Sequence, residues 1–327
     1  MNPTAGARPK IARRPVHGVL LLDKDAGASS NAALQRAKWL YRAEKAGHTG
    51  TLDPLASGLL PLCFGAATKF AQASLDADKR YLATLRFGVT TTTGDLEGDV
   101  VRTVHGVDVD RAGVERACAL FVGEIDQVPP MHSALKRDGK PLYEYARAGI
   151  EVERVARRVR IHALRVVEGA RDLWTLEVSC SKGTYVRTLG EDIGAALGCG
   201  AHLAALRRVG CGGLSLAQAV TLAQLGGLDA AMLDARLLPP DALVAGLPRV
   251  VLSADDAGRF LAGVRRRLPL ADSPAVRVYG PDPGAFLGTG HVAAGELIAS
   301  RLLSPVEVSH LVSARHPSSP VSESLFA

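Results

Sequence analysis

The stretch GHTGTLDPLASGLLP, residues 47–61, brings together the residue types best suited to chemistry. Asp53 stands directly before Pro54, which drives the Asp backbone out of the helical region. Gly50 and Gly58 let the chain turn sharply on either side. A loop of this kind can present a carboxylate at the floor of a cleft. The same Asp-Pro pair also fits a helix cap, with the helix starting after Pro54. Arg187 falls in the first turn of a helix expected over 186–197, where the dipole mildly disfavours a cation. Tyr81 opens an alternating strand, a position more often used for core packing. His48 precedes the Asp53 loop and equally fits a hydrogen-bonded structural residue. Cys63, Cys118, Cys180, Cys199 and Cys211 show neither CxxC nor Cys/His ligand spacing. No metal site is expected, and the cysteines read as free thiols of a reducing cytoplasm.

Several elements must position these groups. The apolar run HGVLLLDK predicts a strand. Ser29 and Ser30 can cap a helix with apolar positions Ala33, Leu34, Ala37, Leu40 and Tyr41, ending at Gly47. Further helices are expected over 65–74, 110–122 and 201–208, with Leu206 an ordinary core leucine of the last. YLATLRFG alternates like a strand, and TTTGDLEGD supplies turn chemistry. RVRIHALRVVEG and LWTLEVSC predict two strands joined by a turn at 169–172. After a break at 239–248, RVVLSA, AVRVYG, FLGTGHV and ELIASRLL predict a small β domain. Strands and helices mix without a regular βαβ rhythm, which favours an α+β fold. From about Ser304 the chain is Ser/Pro-rich and is expected to fray.

The 327 residues make about two domains. At 47% hydrophobic and 22% charged residues the chain is globular rather than disordered. The best apolar run, 58–67, is broken by Pro61 and too short to span a membrane. The charged start lacks the apolar core of a secretion signal. The net charge of +6 is uneven. Residues 1–14 carry four basic side chains and no acid, and 128–171 carry ten against five. A local polyanion contact and a solvated Arg-rich hairpin fit this pattern equally well. The ratio of 30 Arg to 9 Lys is better explained by GC-rich coding than by function.

The string around Asp53 resembles the catalytic motif of the TruB family of tRNA pseudouridine synthases, which isomerise uridine 55 in the tRNA T loop. Further blocks resemble the same family in its order: GVLLLDKDAGASSN, DKRYLATLRFG, SALKRDGKPLYEYARAGIEV, CSKGTYVRTLGEDIG and LGCGAHLAALRR, spanning roughly 16–210. FLGTGHVAAGELIASRLL is similar to the end of the family's small PUA-like RNA-binding domain. The resemblance implies a catalytic core at 16–240 with a mixed, largely antiparallel sheet flanked by helices. It implies a PUA-like β domain at 246–303, between a basic tail at 1–15 and a disordered end at 304–327.

By the same resemblance Asp53 is the nucleophile, Arg187 its ion-pair partner, and Tyr81 stacks on the base and handles a proton. Leu206 lies on the other face of the base, and His48 fills the gap left by the flipped nucleotide. Lys24 meets a phosphate or supports the loop, and Lys182 binds substrate. Lys136, Arg137, Lys140 and Arg147 lie near phosphates on a mobile segment, 128–157, that closes over the RNA. The implied enzyme is a monomer acting on the tRNA T arm with no cofactor, metal or obligatory protein partner. Two departures stand out: Asp25 where the family often has proline in DKPxG, and His132 where it has tyrosine in MYSALK. Rival readings are an RNA-folding protein on the same scaffold, the guide-RNA-dependent archaeal and eukaryotic relative, and, more distantly, a glycosidase. The last lacks a paired carboxylate at motif spacing.

Overall fold

The computed structural model describes residues 12–282 and 284–315. Residues 1–11 of the expected basic tail, and 316–327 of the expected frayed end, lie outside the described residues. Strand β1 (Gly18–Lys24) divides its apolar run between two cores: Leu20 and Leu22 enter one, Val19 and Leu21 the other. A strand buried on both faces reads as continuous hydrophobicity rather than alternation. Ser29 caps helix α1 (Ser30–Leu40), accepting from the Ala32 amide at 3.1 Å. The helix stops well before Gly47, because Arg42 adopts a left-handed φ of 50° and strand β2 (Ala46–His48) then joins the sheet. No helix follows Pro54; the loop runs into strand β3 (Ser57–Phe64). A 3-10 turn (Gly65–Phe70) and helix α2 (Ala71–Asp76) lead to strand β4 (Lys79–Phe87).

Next come the hairpin β5 (Val89–Thr91) and β6 (Val100–Thr103), helix α3 (Arg111–Ala119) and strand β7 (Gly123–Gln127). A tight hairpin, β8 (Lys136–Arg137) and β9 (Lys140–Pro141), turns at Asp138 and Gly139 with φ of 49° and 81°. Two positive φ values make the turn that matches strand twist. Helix α4 (Leu142–Arg147), the long strands β10 (Arg157–Ala170) and β11 (Leu173–Cys180), and helix α5 (Val186–Ala196) follow. The segment 201–208 is not helical: strand β12 (Ala201–Cys211) lies between β3 and β4. Its Ala and Leu favour a helix locally, but pairing with two central strands overrides that preference. With β13 (Leu214–Ser215) on β12 and β2 on β3, the large sheet runs β1-β3-β12-β4-β11-β10-β7. Its pairs are antiparallel except β12 with β3.

Short helices α6 (Leu222–Leu225) and α7 (Ala230–Asp234) precede a second sheet. It comprises β14 (Arg249–Val251), β15 (Arg266–Arg267), β16 (Ser273–Tyr279), β17 (Phe286–Ala293) and β18 (Glu296–Leu302), with helix α8 (Ala254–Leu261) after β14. The fold is α+β, with a mixed, largely antiparallel central sheet and a small C-terminal β unit. Within the end expected to fray from Ser304, the described residues form helix α9 (Pro305–Arg315). Ser304 and Glu307 cap each other's amides, and Val308 and Leu311 are buried. Among the described residues no helix is long and apolar enough to cross a membrane.

Gly58 sets the close approach of β3 to β12. Its φ is +98°, and a Cβ there would lie 2.3 Å from the Arg208 carbonyl oxygen. We expect Gly58→Ala to cost on the order of 2 kcal/mol or more in urea unfolding. Gly213→Ala, where a Cβ meets nothing within 4 Å, should stay within about 0.5 kcal/mol. Equal unfolding midpoints for the two variants would contradict this.

Candidate active site

Four parts of the large sheet domain converge on a cleft of about 300 Å³: the β2–β3 loop, strands β4 and β12, the start of α5, and segment 133–135. Ser30 fixes the loop by donating to the Leu52 carbonyl at 2.9 Å and accepting from the Leu52 amide at 2.7 Å. The Gly27 amide donates to the Pro54 carbonyl at 2.7 Å. Asp53 is therefore held from both sides and offers its carboxylate to the cleft, where its side chain is 40% exposed.

Arg187 is almost fully buried and reaches Asp53 Oδ2 with Nη2 at 3.1 Å. Its Nη1 reaches Asp95 Oδ2, also at 3.1 Å, and donates to the Thr93 carbonyl. Nη2 further donates to the His132 carbonyl at 2.6 Å. Asp95, in turn, accepts from the Thr93 hydroxyl at 2.5 Å and the Glu97 amide at 3.0 Å. Gln127 holds the approach to α5 by accepting from the Tyr185 amide at 3.0 Å. Burial raises the Asp53 pKa above the carboxylate norm and Asp95 adds to the rise, while Arg187 and Lys24 oppose it.

Tyr81 and Leu206 both line the cleft, on neighbouring strands. Burial pushes the Tyr81 phenol up to about 12, with Arg208 acting in the opposite direction. Arg208 pairs with Tyr81 across the strands, and its side chain donates to the carbonyls of Leu59 and Gly50. Lys79, also at the cleft, donates to the carbonyls of Ser74, Leu75 and Ala77.

The RNA-contact expectations divide. Lys24 is 1% exposed, and its ammonium donates to the carbonyls of Asp25, Ala28 and Pro54. It supports the Asp53 loop from behind, the second of the two places expected for it. His48 is half-buried in β2 and does not line the cleft; its buried Nδ1 has no hydrogen-bond partner among the described residues. Burial and Arg208 lower its pKa. Lys182 stands at the rim in an ion pair with Asp76 at 2.8 Å. Lys136, Arg137, Lys140 and Arg147 are exposed on the β8–β9 hairpin and α4. Of these, Arg137 donates to the Glu153 carbonyl, and Arg147 lies over the Tyr143 ring at 5.2 Å. Leu142 anchors this segment beneath the surface.

Asp95, Arg208 and Lys79 have no place in the sequence reading. Asp95 sits in TTTGDLEGD, which reads as turn chemistry alone. The cue for Arg208 is its identity: an Arg on a central strand is buried and must find oxygen partners. We expect the Asp53 carboxyl carbon to titrate, by NMR, above the usual carboxylate range. In Asp95→Asn its midpoint should fall, because a like charge is removed and Arg187 is released to Asp53 alone. An unchanged or higher midpoint would count against this geometry.

Residues 38–186 match the model described as TruB family pseudouridylate synthase (N terminal domain). Residues 187–245 match the tRNA pseudouridylate synthase B C-terminal domain, and 248–303 match Pseudouridine synthase II TruB, C-terminal. The tRNA pseudouridine synthase B of Verminephrobacter eiseniae (strain EF01-2) is 55% identical over 94% of this chain and 95% of its own. That of Burkholderia mallei (strain ATCC 23344) is 59% identical over 92% and 98%. Among solved structures, a chain of a Cbf5-Nop10-Gar1 complex shares the fold, with a TM-score of 0.68 at 23% identity over 94% of both chains. With relatives this similar along nearly its whole length, the chain belongs to the TruB family of pseudouridylate synthases.

Proposed function

We propose that this chain is a tRNA pseudouridine synthase that isomerises uridine 55 of the T loop, working as a monomer without a guide RNA. The observation that carries this reading is the Arg187 guanidinium bound to Asp53 in a cleft also lined by Tyr81 and Leu206. At about 300 Å³ the cleft suits one nucleoside and not a stacked helix, so the target must be extruded from the RNA. Tyr81 and Leu206 then bracket the base, and His48 supports the RNA stack it has left.

The reaction exchanges a C1′–N1 bond for a C1′–C5 bond. Asp53 faces the ribose and assists by bonding to C1′ or by stabilising the charge there as N1 departs. Arg187 aims the carboxylate and keeps it ionised despite its burial. The detached base turns, C5 bonds to C1′, and Tyr81 is placed to handle the C5 proton. The exposed cations Lys136, Arg137, Lys140 and Arg147, with Lys182 at the rim, supply phosphate contacts. The β unit at 246–303 adds a second RNA-binding surface.

Substituting Asp53→Asn should lower single-turnover pseudouridine formation on an unmodified T-arm RNA by more than about a thousandfold. RNA affinity should change little, because the phosphate-facing cations are untouched. Turnover close to wild type would remove Asp53 from its role. The purified chain should modify unmodified tRNA alone, at the T-loop position; product only with added partners would favour the guide-dependent reading.

A further inference from the structure

A buried cation normally needs a carboxylate, because removing an isolated charge from water is expensive. Two cations lining this cleft depart from that pattern. Lys79 and Arg208 are 8% and 1% exposed. The hydrogen bonds of the Lys79 ammonium go to three main-chain carbonyls. Arg208 donates from Nε to Leu59 at 2.7 Å and from Nη2 to Gly50 at 3.2 Å, and also faces the Tyr81 hydroxyl. Carbonyl dipoles orient these heads but leave their charge in place. Arg187 differs, since Asp53 and Asp95 answer its charge. The site thus concentrates fixed positive charge on the base side of the cleft. Burial lowers the Lys79 pKa, and Arg208 lowers it further.

These cations lie too deep to meet an RNA backbone. What reaches the floor is the base itself. Resting on the proposed function, the chemistry creates an anion at this point. When C1′–N1 breaks, the electron pair stays on N1, and the free uracil carries a negative charge spread over its ring nitrogen and oxygens. Asp53 answers the positive ribose carbon but repels that anion.

We propose that Arg208, backed by Lys79, forms a preorganised cradle that stabilises the detached uracil anion. Arg208 is the residue in contact: it lines the cleft two positions from Leu206, on the same strand face, and directly across from Tyr81. When C5 bonds to C1′, the C5 proton leaves and N1 takes one up. The base becomes neutral again, and no redox partner is consumed. Fixed dipoles and charges that need no rearrangement act most strongly on such a short-lived ion.

The test uses the full chain and two T-arm RNAs, with uridine or 5-fluorouridine at the target. Fluorine withdraws charge from the departing ring and reduces its need for the cradle. Single-turnover C1′–N1 cleavage of the uridine RNA should fall about a hundredfold in Arg208→Gln. The fluorinated RNA should lose about tenfold or less, with RNA affinity nearly unchanged. Arg208→Lys should recover most of the rate. Lys79→Gln should show the same substrate pattern more weakly, which keeps the test open if Arg208→Gln does not fold. Equal losses on the two RNAs in every folded variant, or no loss on either, would overturn the cradle. Failure of the unaltered chain to convert the uridine RNA would instead overturn the proposed function, and the cradle with it.

Discussion

One guanidinium ties together three parts of the chain that are far apart in sequence. Arg187, at the start of α5, bonds Asp53 in the β2–β3 loop, Asp95 and Thr93 in the β5–β6 turn, and the main chain at His132. A fork with several fixed donors can hold such an arrangement, whereas a single ammonium cannot span it. Much of the surrounding fold serves this contact. The Ser30 hydroxyl fixes the Asp53 loop, Gln127 fixes the turn into α5, and Thr93 fixes Asp95. Without these supports a buried Arg between two carboxylates would be an expensive and imprecise feature.

The sheet supplies the other half of the geometry. Placing β12 between β3 and β4 brings Leu206 and Arg208 alongside Tyr81, and Gly58 permits the close approach of Arg208. Because the second β unit covers the opposite face of β1 and β3, those strands are apolar on both sides, which stiffens the platform under the loop. The exposed basic hairpin at 136–141 is a separate layer, built from a local turn and anchored by Leu142. In the proposed reaction, phosphate contact and bond-breaking thus fall to different parts of the molecule, one exposed, the other buried.

How much of this was legible in the sequence follows from the range of the forces involved. Strands β4, β10 and β11 and helix α5 carry their periodicity locally, and β1 its continuous apolar run, so all can be read from the sequence. Strand β12 cannot: AHLAALRR has helix-forming composition, and only its two neighbours make it extended. Asp53 stands out through its Gly- and Pro-bracketed loop and the family resemblance. Asp95 stays hidden because a turn aspartate looks the same whether it caps its own loop or, as here, also binds Arg187. Lys24 shows the converse. Its charge allowed either a phosphate contact or a supporting role, and its burial against three carbonyls fits the support.

The central claim is that Arg187 acts through its fork, by holding Asp53 and Asp95 together, and not merely through its charge. The most direct measurement is the single-turnover rate of Arg187→Lys on an unmodified T-arm RNA, with RNA binding measured alongside. The variant keeps the charge but cannot bridge both carboxylates and the two carbonyls. The account predicts a rate loss of about a hundredfold or more with binding nearly unchanged. A rate close to that of the unaltered chain would contradict it.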